Sequence, residues 1–262
     1  MNAGPLDALR RLGPNDRNAW MVSREGVSMV RPAAPVQPLA FDAQPKPVEI
    51  DLARTALIVV DMQNDFCHPQ GWLAGIGVDI EPARAPIAPL AAFLPLMRAA
   101  GVPVVWLNWG ARADLANIAP SLRHVYDPDG RGVGLGYSGG PRRSPVLTEG
   151  SWNAAIVDGL DPEPEDIHVA KHRMSGFWDT PLDSILRNLR VDSVLFAGVN
   201  ADQCVLHTLA DANALGYDTL LLEYATGTTS PAFCMQATLY NVRQIFGFTT
   251  TTAAMTRAIA EG

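Results

Sequence analysis

Three titratable side chains of different chemistry stand where hydrophobic, strand-like runs end. Asp61 closes TALIVVD and Lys171 closes EDIHVAK. Cys204 lies a few residues past SVLFAGV, where the helix-like run ADQCVLHTLADANALG begins. A carboxylate, an ammonium and a thiol form a set suited to nucleophilic attack on a carbonyl carbon. A thiol attacks only as thiolate, and its free pKa is about 8.5. The positive end of a helix dipole near Cys204 and the charge of Lys171 both favour the thiolate. Asp61 can take the thiol proton and later hand it to a departing amine. Backbone N–H groups around Asn200 and Cys204 can bind a developing oxyanion.

Such a set works only if the chain brings it together, and the order of elements predicts that it does. TALIVVD and VPVVWLN are short β-branched runs, as strands buried on both faces should be. EDIHVAK, SVLFAGV and DTLLLEYAT predict three more strands, and FTTTT an edge strand before a last short helix. Helices are expected from Glu81 to Gly101 with a kink or break at Pro95, and from Thr180 to Arg190 with Thr180 as N-cap and Pro181 first in the helix. Two more are expected from Ala201 to Gly216 and from Pro231 to Gly247. This alternation predicts an α/β fold, a doubly wound and mostly parallel sheet with helices on both faces. Ligands of such sheets bind at the carboxyl ends of the strands, where Asp61, Lys171 and Cys204 are expected to meet.

Two segments stand apart. The Gly- and Pro-rich stretch from Trp109 to Thr148 is long for a connection, which points to a functional or intersubunit role. Residues 1–50 carry Pro32, Pro35, Pro38, Pro45 and Pro47. Prolines at this density bar a long helix or a central strand. The segment reads as an extended arm over the domain or a neighbouring subunit, which leaves residues 51–262 as the catalytic domain.

Composition excludes several classes. The 262 residues carry 20 Lys and Arg against 27 Asp and Glu, a net charge of −7. That balance argues against nucleic-acid and anionic-membrane partners, which want a basic face. Three cysteines cannot all pair, so a reducing compartment is expected. No stretch approaches the roughly 20 apolar residues of a membrane span, and the first residues lack the apolar core of a signal peptide. The expectation is a cytoplasmic protein.

VVDMQNDF, the Lys171 strand with KHRMSGFWDTPLD behind it, and GVNADQCV resemble the three signature blocks of the isochorismatase-like cysteine hydrolases. The likeness runs in order from about residue 50 to 255. It implies Asp61 as general base, Lys171 as its cationic partner and Cys204 as nucleophile. It further implies a cis peptide between Val199 and Asn200, which turns the N–H groups of Asn200 and Cys204 into an oxyanion hole.

Within that family the residues sort the chemistry. NWGARADLANIAP contains no histidine where nicotinamidases carry their metal ligands, so no metal and no cofactor is expected. The presence of Cys204 favours an amide-type carbonyl and a covalent thioester over vinyl-ether hydrolysis. Phe66, five positions after Asp61, and Gln244 on a late helix resemble the biuret and ureidoacrylate branch, where such residues line the pocket. Asn200 is a third expected substrate contact. Trp72 and Trp178 could add an aromatic wall, and Asn64 and Arg173 polar contacts. The implied substrate is a small amide or ureide, and the implied assembly a homo-oligomer, dimer or tetramer. Alternatives are an N-carbamoylsarcosine-type amidase, a nicotinamidase-like enzyme, an isochorismatase, or a non-catalytic member that binds a partner.

Overall fold

The computed structural model describes residues 9–15, 17–31 and 35–261. Residues 1–8, 16 and 32–34 of the expected arm, Pro32 among them, lie outside the described residues. The rest of the arm is built of short strands. β1 (Arg10–Asn15), β2 (Asn18–Val22) and β3 (Val27–Ser28) form a small antiparallel sheet. It touches the domain where the Arg17 guanidinium donates to the Gly101 carbonyl at 2.6 Å. β4 (Pro38–Phe41) and β5 (Val48–Asp51) form an antiparallel pair. Reciprocal bonds between the main chains of Gln44 and Thr249 tie that pair to the domain.

The domain begins with β6 (Thr55–Val60), buried at every position. Three one-turn helices follow, α1 (Asn64–Cys67), α2 (Trp72–Gly75) and α3 (Glu81–Arg84), then α4 (Ile87–Ala99) and β7 (Val104–Trp109). The single helix expected from Glu81 to Gly101 is therefore two, and the break falls before Pro86 rather than at Pro95. Pro95 sits inside α4 on its exposed side, where water can satisfy the carbonyl that a proline leaves free. The chain continues through α5 (Pro120–Tyr126), β8 (Ile167–Lys171), α6 (Leu182–Asn188), β9 (Ser193–Gly198) and α7 (Leu206–Ala214). β10 (Asp218–Thr226), α8 (Ala232–Asn241), β11 (Gly247–Thr250) and α9 (Thr252–Glu261) complete it. Thr180 supports the start of α6 by accepting the Leu182 N–H on its hydroxyl at 3.1 Å.

β6 to β11 form one parallel sheet in the order β11-β10-β9-β6-β7-β8. Helices flank it, with α4 and α9 packed on one another and on β10. This is the expected α/β architecture, a six-stranded sheet between layers of helix. The chain leaves β6 toward β7 and β8, then returns to lay β9 on the other side of β6. The strand order reverses between β6 and β9, and in such sheets ligands bind at the carboxyl ends beside that reversal. No helix among the described residues is long and apolar enough to cross a membrane.

The long connection after β7 is laced to the segment after β6. Gln63 and Asn64 take part through the main-chain bond from Asn64 to Ala155 and side-chain bonds to the carbonyls of Ala154 and Trp152. Asp65 closes the seam. Its buried carboxylate accepts the N–H of Leu147 at 2.7 Å, the N–H of Trp72 at 3.0 Å and the side-chain amide of Asn153. Burial outweighs these three donors and pushes the Asp65 carboxyl up to about 7. Folding therefore takes up a proton here between the unfolded value near 4 and about 7, so stability contributed at this site falls as pH rises through that window. Denaturant titrations of the wild type should lose up to about 4 kcal/mol from this group across the window. Asp65→Asn should lack that slope; an unchanged slope in the variant would remove Asp65 as its source.

Candidate active site

The reversal point gathers the ends of four strands. β6 ends on Asp61, whose φ of 50° is a left-handed conformation uncommon outside glycine. Beside it β9 ends on Gly198 at φ 107°, where a Cβ would stand 2.0 Å from the Val60 carbonyl oxygen. Only glycine allows β9 to close on β6 this tightly. The next peptide bond, Val199–Asn200, is cis, in keeping with the expectation from resemblance. A π turn over Ala201–Val205 follows, with Gln203 outside helical geometry, and leads into α7. The Asn200 carbonyl takes the N–H groups of Gln203 and Val205, which flank Cys204 in sequence. Thr208 fixes the back of this turn by donating its hydroxyl to the Cys204 carbonyl at 2.6 Å.

Asp61, Lys171 and Cys204 meet at this reversal point. Lys171 Nζ stands 2.9 Å from Asp61 Oδ2 and 3.1 Å from Cys204 Sγ. Lys171 thus stands between the carboxylate and the sulfur, in contact with both. Asp61 and Lys171 are fully buried, and Cys204 is 4% exposed. Burial pushes the Asp61 carboxyl above the ordinary carboxylate range, and the Lys171 ammonium pulls it back down. Burial likewise pushes the Cys204 thiol up to about 12, with Lys171 opposing and Asp61 adding to the rise. At neutral pH the resting site therefore holds a neutral thiol. The thiolate has to be made by moving a proton.

Other side chains crowd the sulfur. Trp109, the last residue of β7, donates its indole N–H to Cys204 Sγ at 3.3 Å, and Met174 Sδ lies 3.8 Å from the same sulfur. Tyr126 of α5 packs edge-on to Trp109, with centroids 5.5 Å apart. Burial raises its phenol well above the usual value, and the neighbouring Cys204 and Asp61 add to that rise. The stretch between Trp109 and Thr148 thus reaches the site through Tyr126. Sequence reading missed Trp109, Tyr126 and Met174, because a Trp at a strand end or a Tyr in a loop carries no signal of its own. The one available hint was position, since Trp109 ends a predicted strand as Asp61 and Lys171 do.

The expected substrate contacts fare unevenly. Phe66 is buried in α1, directly after the Asp61 strand. Asn200 turns its side-chain oxygen to the Thr229 N–H at 3.2 Å, which ties it to the loop after β10. Gln244 requires correction. It lies exposed on the π turn Val242–Phe246, which feeds Gly247 alongside Thr219 at the amino end of β10. α8 starts near the carboxyl rim and runs back across the sheet. At about 1.5 Å per residue, Gln244 is roughly 18 Å past its start, at the opposite rim from Cys204. Trp178 is exposed, donates to Asp211 at 2.7 Å and lines a surface cavity with Met174. Asn64 and Arg173 direct their donors to the carbonyls of Trp152 and Asn117. Among the described residues no three His, Cys, Asp or Glu side chains gather as a metal site would require.

Comparison with known proteins agrees with this geometry. The isochorismatase domain matches residues 55–254. The ureidoacrylate amidohydrolase RutB of Azorhizobium caulinodans is 36% identical over 232 residues, covering 84% of this chain and 96% of that protein. The enzyme of the same name from Methylobacterium radiotolerans is 36% identical over 237 residues, 84% of this chain and 85% of its own. Among solved structures, a cysteine hydrolase from Pseudomonas syringae superposes with a TM-score of 0.68 at 28% identity, covering 81% of this chain and 95% of that one. N-carbamoylsarcosine amidase from Thermoplasma acidophilum superposes with a TM-score of 0.59 at 28% identity, covering 76% and 96%. With the domain match spanning most of the chain and relatives this similar along nearly all of their length, the chain belongs to the isochorismatase family of hydrolases.

Proposed function

We propose that the protein cleaves a C–N bond of a small amide or ureide with Cys204 as nucleophile, Asp61 as proton carrier and Lys171 as the fixed charge between them. The observation that carries this reading is the placement of one ammonium 2.9 Å from the carboxylate and 3.1 Å from the sulfur, out of water. In a dry site those charges act at low dielectric and need no reorganisation as the reaction proceeds.

The steps follow from the chemistry of each group. The substrate carbonyl lies over the cis turn, its oxygen toward the N–H groups of Asn200 and Cys204. The Cys204 proton moves to Asp61 as the sulfur attacks the carbonyl carbon, and the oxygen gains the negative charge. The tetrahedral intermediate collapses to a thioester. Asp61 returns the proton to the departing nitrogen, which leaves as ammonia or a small amine. Water then gives a proton to Asp61 and its oxygen to the thioester carbon. Collapse frees the acid product, and the sulfur recovers its proton. Lys171, in contact with both, balances whichever of Asp61 and Cys204 is negative.

A ureide fits this site because its leaving nitrogen must be protonated as it departs, and a raised Asp61 is the acid for that task. The names of the relatives at 36% identity, ureidoacrylate amidohydrolases, support the same substrate class. With Gln244 on the far rim, likeness to the biuret and ureidoacrylate branch rests on Phe66 alone among the pocket residues, and the assignment to a ureidoacrylate-like ureide follows the relatives.

Cys204→Ser should lower ammonia release from ureidoacrylate at least about a thousandfold while leaving the thermal transition near that of the wild type. Turnover at wild-type rate in that variant would refute the nucleophile. The acid limb of kcat/KM should lie above the ordinary carboxylate range, because Asp61 must be ionised to receive the thiol proton and burial raises its pKa. Activity should therefore fall as pH drops through the raised value. A limb at or below pH 4 in a pH–rate profile would contradict the assignment.

A further inference from the structure

We propose that Trp109 is the positioning residue of this site, its indole N–H placed to stabilise the Cys204 sulfur as it becomes a thiolate while its ring and main chain hold Lys171 and Asp61. The proposal rests on the reading of Cys204 as nucleophile. No other described residue touches all three groups. The Trp109 main-chain N–H donates to Asp61 Oδ1 at 2.9 Å. Its indole N–H donates to Cys204 Sγ at 3.3 Å. The face of its ring lies 4.1 Å from Lys171 Nζ, a close cation–π contact.

The sheet explains how one residue reaches three partners. β7 lies between β6, which delivers Asp61, and β8, which delivers Lys171. In register, Trp109 stands directly opposite Lys171. The main chain of Trp109 is itself held, since the Gln63 side-chain amide accepts its N–H at 2.9 Å and donates to its carbonyl at 2.8 Å. Tyr126 braces the ring. At 1% exposure, the indole has no water to compete for its donor.

The chemistry gives the contact a direction. An indole nitrogen is a donor only. Toward a neutral thiol that donor meets a weak acceptor. Toward a thiolate it becomes a charge-assisted bond, roughly twice as strong. The contact therefore favours the state that attacks over the state that waits, which is what lowers a barrier. The ionisable groups facing the sulfur are Asp61 from the end of β6, Lys171 from β8 and Tyr126 from α5.

The test is the pH dependence of Cys204 alkylation by iodoacetamide, read at that residue by mass spectrometry on the full chain. Wild type is compared with Trp109→Phe, which keeps a ring but loses the N–H. It is also compared with a protein carrying benzothienylalanine at 109, which keeps the indole shape and loses only the donor. The rate curves of both should move up by about one pH unit, a tenfold slower reaction at a given pH, with kcat reduced and KM little changed. A curve for the benzothienyl protein that overlies the wild type would overturn the proposal, even if Trp109→Phe fails to fold. Ammonia release by Cys204→Ser separates the two readings. Turnover retained there refutes the nucleophile itself, whereas an inactive Cys204→Ser with unshifted position-109 proteins refutes only the role of Trp109.

Discussion

A fully buried ammonium is the constraint around which this molecule is arranged. Lys171 sits at the end of a strand with no exposed surface, where an unpaired charge would cost several kcal/mol. It is tolerable because Asp61, the Arg173 carbonyl and the face of Trp109 all meet it. Each of those partners comes from a separate segment of chain. The ion pair can therefore exist only after β6, β7 and β8 have paired in one register. The same burial that makes the pair demanding raises Asp61 and Cys204 out of their ordinary ranges. The thiol and the carboxyl are thus brought into competition for one proton. Packing and reactivity are one fact seen from two sides.

Much of this was readable in the sequence, for a physical reason. Strands buried on both faces must be continuous apolar runs, so TALIVVD and SVLFAGV announced themselves, and DTLLLEYAT matched its strand at both ends. A parallel sheet puts its ligand site at strand ends, which makes three scattered residues a convergent set on the sequence alone. What the chain conceals is packing direction. Trp109 reads as one more core aromatic, since nothing in VVWLNW says which of its Trp side chains faces the sulfur. Gln244 misled because resemblance fixes a position in a list, whereas the direction of α8 fixes a position in space. Pro95 misled because a helix can carry an interior proline on its exposed side, where water satisfies the freed carbonyl. The strands β1 to β3 escaped notice because proline density was read for the whole arm, although residues 10–28 contain only one proline.

The segment after β7 has a double nature. At one end it supplies Tyr126, which packs on the Trp109 ring beside the sulfur. At the other it is sewn to α1 and α2 through Asp65, Asn64 and Gln63. Gln63 belongs to both regions, with one amide group spanning the main chains of Trp109 and Ala154. The motif around Asp61 thus does more than present a carboxylate. Its neighbouring side chains anchor the wall on which a substrate would rest.

One absent methyl group, at Gly198, divides the molecule into what can drift and what cannot. Any side chain there would wedge β9 from β6 and carry the cis turn and the Cys204 sulfur away from Asp61. New specificities in such a scaffold must then arise in the loops around a floor that stays the same. A laboratory seeking a different substrate would do well to randomise the stretch between Arg112 and Gly140 and leave that floor untouched.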